Sequence, residues 1–281
     1  DLVRSRGLGD VYKRQSYHYV PRFLNMIGGY LSPEGNYSSH QIDTASQYTY
    51  GDKSYTFGSA PTEMARSDLI VYFGNNPANT RMSGGSDTYH YQWYKKQNSA
   101  RTIVIDPQYT DTACGREDLW LAIRPGSDAA LVEAIAWVLI TEGFTDDDFL
   151  KTHCYGYDEE PGDSEKNIPP LDKRLGYKAY ILGEGIDGIA KTPKYASAIC
   201  GIPEEQIYQL ARELGHAKAP YIAQGWGPQR QAAGEQTARA IFMLPILLGK
   251  IGLPGTNNGA SDFLFHTTDV MTMPTGKNPV S

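Results

Sequence analysis

Four short polar stretches carry the side chains that could do chemistry, and each one closes an apolar run. Gly74-Asn75-Asn76-Pro77 follows Leu69-Ile70-Val71-Tyr72-Phe73. Asp106-Pro107-Gln108-Tyr109-Thr110-Asp111-Thr112 follows Arg101-Thr102-Ile103-Val104-Ile105. Arg124-Pro125-Gly126-Ser127-Asp128 follows Trp120-Leu121-Ala122-Ile123, and Gln224-Gly225-Trp226-Gly227-Pro228-Gln229-Arg230 follows Pro220-Tyr221-Ile222-Ala223. Taken singly, each is an ordinary turn, and turns far outnumber sites. Taken together they supply backbone N–H groups, carboxylates for a ribose or an amino-purine edge, arginine for phosphate and tryptophan for stacking. That set points to a nucleotide-bearing ligand.

Positioning these loops requires a parallel sheet. Short apolar runs bounded by Gly and Pro read as buried strands, and the stretches between them read as helices. The clearest helix spans Ala129 to Glu142; it is capped at Ser127 or Asp128, stops at Gly143 and is apolar nearly all round, so it is buried. Further helices are expected from Ser39 to Ser46, from Ser83-Gly84-Gly85 through about Gln97, from Asp146 to Cys154, from Pro193, from Pro203 to Leu214, and from Glu235 to Leu248 with Pro245 inside it. Strands alternating with helices imply crossovers and ligand loops beyond the strands' carboxyl ends. The fold class expected is therefore α/β: a doubly wound, mostly parallel, dinucleotide-binding-like sheet, with parts of a second α/β domain. The boundaries expected are 1–15 as a non-native segment, 16–65 as a partial domain at the reactive centre, 66–260 as the sheet domain, and 261–281 as the start of a return to the second domain. Residues 1–15 show neither periodicity nor a signal-peptide core. With the chain stopping inside a loop, the expectation is an internal fragment of a longer protein.

The 281 residues are 40% hydrophobic and 21% charged with a net charge of −6, ordinary for a globular protein and without the basic stripe of a nucleic-acid binder. The longest apolar candidate for a membrane span, Ile241 to Leu253, is broken by Pro245, Gly249, Lys250 and Gly252. Cys114, Cys154 and Cys200 are far apart and the histidines lack ligand spacing, so no local zinc or iron–sulfur motif exists. Gly183-Glu184-Gly185-Ile186-Asp187-Gly188 fits Gly-x-Gly-x-x-Gly. It lacks a buried strand before it, Tyr180-Ile181-Leu182 being a short strand at best, and Pro193 leaves no room for the helix after it.

The four loops, joined to Gly35-Asn36-Tyr37-Ser38-Ser39, Thr80-Arg81, Gly234-Glu235 and Leu248-Gly249-Lys250-Ile251-Gly252, resemble in order and spacing the dimethyl sulfoxide reductase family of molybdenum enzymes. The likeness covers roughly residues 16–281 and is greatest to the catalytic subunits of the anaerobic, membrane-associated sulfoxide reductases. It implies Mo-bis(molybdopterin guanine dinucleotide) as cofactor, bound through Gly74, Asn75, Asn76, Pro77, Thr80, Arg81, Ile105, Asp106, Pro107, Thr110, Arg124, Gly126, Ser127, Asp128, Gly225, Trp226, Gly227, Gln229 and Arg230. It implies Ser38 as the catalytic residue and metal ligand, with Ser39 the one-off alternative; on the residues alone Ser38 is a solvated loop serine. The activity implied is oxygen-atom transfer in anaerobic respiration, reducing dimethyl sulfoxide to dimethyl sulfide. A 4Fe-4S cluster and a twin-arginine signal to the periplasm are expected in the parent before Ser16. An iron–sulfur electron-transfer subunit and a membrane-anchor subunit are its expected partners. An N-oxide, biotin-sulfoxide or selenate reductase of the same branch, a cofactor-free structural relative and a plain nucleotide-binding module are the alternatives.

Overall fold

The four apolar runs are strands of one parallel sheet, ordered β3-β2-β1-β4. They are β1 (Leu69–Phe73), β2 (Arg101–Ile105), β3 (Leu119–Leu121) and β4 (Pro220–Gln224). The structure, a computed structural model, describes residues 20, 22–31, 38–53, 58–79, 96–165 and 167–262. Thr80, Arg81, most of the helix expected from Ser83, the segment 1–15 and the stretch after Asp262 lie outside the described residues. The chain divides into two compact units, Asp1–Asn36 with Thr267–Ser281, and Tyr37–His266. In the first, residues 22–26 are helical, and Gly28 and Gly29 follow at positive φ.

In the second unit the strands end level. Phe73 lies opposite both Ile105 and Gln224, and Ile105 lies opposite Leu121. Every residue of β1 and β4 is buried, which explains why these runs are continuously apolar rather than alternating. Leu69, Val71, Phe73, Ile103, Ile105 and Ile222 face one core with the helices. Ile70, Tyr72, Val104, Tyr221 and Ala223 face the other side, with Met64 and Ala113.

The helices are α1 (His40–Tyr50), α2 (Asp128–Thr141), α3 (Asp147–His153), α4 (Tyr177–Leu182), α5 (Pro193–Cys200), α6 (Glu204–His216) and α7 (Gly234–Leu247). Helix α2 is the hub: it packs on α5, α6 and α7, with Leu131, Val132, Ile135, Val138 and Leu139 fully buried. Helix α1 packs on α7 through Ile42, Ala45, Ala238 and Phe242. It runs past the expected end at Ser46 because its stop is Gly51, whose left-handed φ of 83° returns its N–H to the Gln47 carbonyl. One expectation is corrected. Tyr180-Ile181-Leu182 belongs to helix α4, terminated by Gly183 at φ 78°, so the first glycine of the Gly-x-Gly-x-x-Gly match is a helix stop.

Candidate functional site

The level strand ends set the four loops along one rim. In three of the loops the first N–H bonds the last residue of the neighbouring strand: Gly74 to Ile105 O at 2.8 Å, Gly225 to Phe73 O at 2.9 Å, and Asp106 to Leu121 O at 3.2 Å; in the fourth, Arg124 N bonds Cys200 O at 2.9 Å. The strand order reverses between β1 and β4, the position where open α/β sheets leave a crevice for a ligand. There the two loops meet backbone to backbone. A Cβ on Gly225 would stand 2.2 Å from the Gly74 carbonyl oxygen, and one on Gly74, at φ +51°, would stand 2.5 Å from Pro228 Cδ.

The residues expected to bind a ligand divide by what they touch. Asn75 is turned inward, and its amide donates to Asp262 Oδ1 at 3.0 Å in a buried pair. Asn76 Oδ1 accepts from Thr112 N at 3.1 Å and Thr112 Oγ1 at 2.7 Å, tying the β1 loop to the β2 loop. Pro77 is buried and Pro107 is exposed. Ile105 is a core residue that reaches the rim only through its backbone. Thr110 O accepts from Cys114 N at 2.8 Å and opens a turn. Arg124 reaches the end of α5, donating to Ala198 O at 2.8 Å and Ile199 O at 3.1 Å. This is helix C-terminal capping by a cation. Ser127 Oγ donates to Arg124 O at 2.6 Å and closes its own loop, and Gly126, at φ +81°, lets that loop approach Gln231.

The groups facing outward are fewer. Arg230 is exposed and makes no ion pair with the described residues. Trp226 is half-buried against the α1–α7 cluster, and Gly227 beside it is exposed. Asp106 is half-buried, which holds its carboxyl above the ordinary range, against an opposing bond from Gln108 N at 2.9 Å. Asp128, 5% exposed at the start of α2, is pushed up to about 6, first by burial and then by the nearby Asp106 charge.

Ser38 joins this rim through Gln229. The Gln229 Nε2 donates to Ser38 O at 2.8 Å and Trp226 O at 3.3 Å, while its Oε1 accepts from Gln41 N at 3.2 Å and Ile42 N at 3.4 Å. Ser38 is exposed at the mouth of α1, whereas Ser39 is 7% exposed with its hydroxyl 3.4 Å from Asp43 Oδ2. Of the two serines, Ser38 is the one that presents itself outward. Among the described residues no three His, Cys, Asp or Glu side chains gather to hold a metal. The donors present are one hydroxyl, an arginine, a tryptophan face and carboxylates. They fit a metal that brings its own ligands on a nucleotide-tailed cofactor.

Sequence reasoning missed Asp262, the buried partner of Asn75, and Gln41 and Gln231, which brace the β4 loop: Gln41 Nε2 donates to Gln231 O at 3.0 Å and Gln231 Nε2 to Pro228 O at 2.9 Å. Two surface hollows among the described residues lie elsewhere. One is lined by α6 residues such as Gln209, Arg212 and Glu213, and the other by Phe144 to Asp148, Gly215 and Lys250, where α2 ends.

The molybdopterin oxidoreductase family model matches residues 5–280. The chain is 50% identical over 262 residues to dimethyl sulfoxide reductase DmsA of Escherichia coli, covering 93% of this chain and 31% of that one. It is 32% identical over 248 residues to trimethylamine-N-oxide reductase of Haemophilus influenzae, covering 86% and 28%. The chain thus spans about a third of the length of these curated relatives. Among solved structures, acetylene hydratase from Pelobacter acetylenicus shares the fold with a TM-score of 0.57 at 19% identity, over 86% of this chain and 28% of that chain.

Proposed function

Because the chain belongs to the molybdopterin oxidoreductase family, we propose that it is part of the catalytic subunit of a respiratory sulfoxide reductase, with Ser38 as the protein ligand to molybdenum. The cofactor is a molybdopterin, which we propose carries guanine dinucleotide tails along the rim. The observation that carries this reading is the rim itself: four level strand ends with the crevice at the β1–β4 switch point, and Ser38 tethered to the loop at that crevice.

The roles follow from what each group touches. The exposed Arg230 and the backbone N–H groups of Asn75, Asn76 and Gly227 would neutralise a diphosphate. Trp226 offers a face to a ring, and Asp106 accepts from sugar hydroxyls or a purine's amino edge. Gly74 and Gly225 let the loops close to backbone distance, so no side chain stands at the crevice floor. When bound, the molybdenum cofactor supplies oxygen-atom exchange, in which a sulfoxide, two electrons and two protons become a sulfide and water. An alkoxide from Ser38 is a hard oxygen donor suited to a high-valent metal. An N-oxide is the second substrate reading, favoured by the likeness to trimethylamine-N-oxide reductase.

Several further features belong to the full-length protein in this reading. They are a 4Fe-4S cluster, an iron–sulfur partner subunit, a membrane-anchor subunit and export to the periplasm by a twin-arginine signal. None of the helices among the described residues is long and apolar enough to cross a membrane. Metal and pterin analysis of the full-length protein after anaerobic purification tests the proposal. One molybdenum per chain with sulfoxide reduction from a reduced dye is the expected result, and protein without molybdenum would sink it. Ser38→Ala should keep the pterin and lose at least about a hundredfold in turnover; full activity in that variant removes Ser38 as ligand and leaves the rim intact.

A further inference from the structure

We infer that Gln229 is a positioning residue for Ser38, setting where that hydroxyl stands; this rests on the reading of Ser38 as ligand. The resemblance places Gln229 among the cofactor contacts, but its side chain is 2% exposed and fully engaged within the protein. An amide has two acceptor positions and two donor hydrogens. Here Oε1 takes the N–H groups of Gln41 and Ile42, and Nε2 gives to the carbonyls of Ser38 and Trp226. The flipped amide would set donor against donor and acceptor against acceptor, so the network fixes its orientation. Nothing remains on the side chain for a ligand.

Those four partners explain its position. Gln41 and Ile42 carry the second and third N–H groups of α1, the ones an N-cap side chain ordinarily satisfies. Ser39 occupies the cap position without making that bond. Gln229 supplies the cap from another element and, with its other end, holds the carbonyl of Ser38, the residue before the cap position. The Ser38 backbone is therefore fixed to the β4 loop that also presents Trp226 and Arg230. A glutamate of the same shape could still accept from Gln41 and Ile42, but it would turn an oxygen toward the Ser38 and Trp226 carbonyls. Gln229→Glu thus retains the helix cap and removes the clamp.

The experiment compares full-length, molybdenum-loaded wild type, Ser38→Ala, Gln229→Glu and Gln229→Asn, whose shorter arm cannot span both ends. The readouts are the Mo(V) electron paramagnetic resonance signal, kcat and KM for a sulfoxide, and hydrogen exchange of the 38–42 peptide in cofactor-free protein. For Gln229→Glu we expect a shifted or broadened Mo(V) signal, kcat lower by about tenfold or more with KM within about twofold, and exchange of the Gln41 and Ile42 amides close to wild type, since their acceptor is kept. A wild-type signal and kcat in Gln229→Glu overturn the inference. So does activity that falls only in proportion to metal content, with the loaded fraction spectroscopically unchanged, because that is a merely structural role. An altered Ser38→Ala signal beside an unaltered Gln229→Glu removes the positioning role alone. An unaltered Ser38→Ala signal removes the ligand reading and this inference with it. Should Gln229→Glu fail to fold, Gln229→Asn is read by the same criteria.

Discussion

A carboxylate buried beside another carboxylate resists ionisation, and Asp128 is such a group. In the folded protein it keeps its proton up to about pH 6, whereas in the unfolded chain it releases it near about pH 4. Between those values the folded state binds more protons, so this group's contribution to stability is present at low pH and is lost as pH rises through about 6. Asp128→Asn cannot ionise. Its advantage over wild type should be negligible below about pH 4 and should grow to on the order of 3 kcal/mol at pH 7. Urea unfolding at acidic and neutral pH checks this, and an equal gap at both overturns it. Residue roles were the least legible part of the sequence. Asn75 and Gln229 look like amides offered to a ligand, yet each is taken up by a partner far along the chain, Asp262 and Ser38, at separations of 187 and 191 residues. Composition of a loop says which groups are present; it does not say which way an amide faces. Arg124 likewise gives its Nη1 to the end of α5, some 74 residues later in the chain.

At the scale of elements the physics is local and the reading was easier. β1, β2 and β4 could be read because buried parallel strands are apolar on both faces. Helix α2 could be read because its apolar residues run all round between a Ser127 start and a Gly143 stop. β3 is shorter than the run Trp120 to Ile123 suggests: it sits at the sheet edge and pairs only with Ile103 to Ile105 of β2. Truncating the hub should be costly. Ile135→Ala in α2, fully buried, should lose about 2–5 kcal/mol in denaturant unfolding. Gly225→Ala tests the loop junction instead. Its methyl would meet Gly74 O at 2.2 Å and Asn75 Cα at 2.8 Å, both backbone, so it cannot be relieved by a rotamer change. A loss of about 1–3 kcal/mol and a weakened cofactor are expected, and a variant with an unchanged unfolding midpoint would show that the two loops yield.

For the whole molecule, the proposed function makes one edge of the sheet the ligand edge and the other a structural edge. Loading with cofactor should slow hydrogen exchange in 74–79, 225–230 and the first turn of α1. The ends of α2 and α6 around Phe144 and Gly215 should not change. Equal protection at both edges would contradict the rim as the binding surface. The Gln229 bridge also has a consequence in time. An isolated helix of 11 residues is marginal in water, and α1 lacks a cap of its own. Its cap arrives from a side chain 187 and 188 positions further on, after β4 has been laid beside β1. Contacts that distant form late, since the loop between them must close first. During refolding, the amides of α1 should gain protection after those of β1 and β4. Ser38, the ligand of the proposed reading, is then among the last groups to reach its place, after the floor of the crevice is already built.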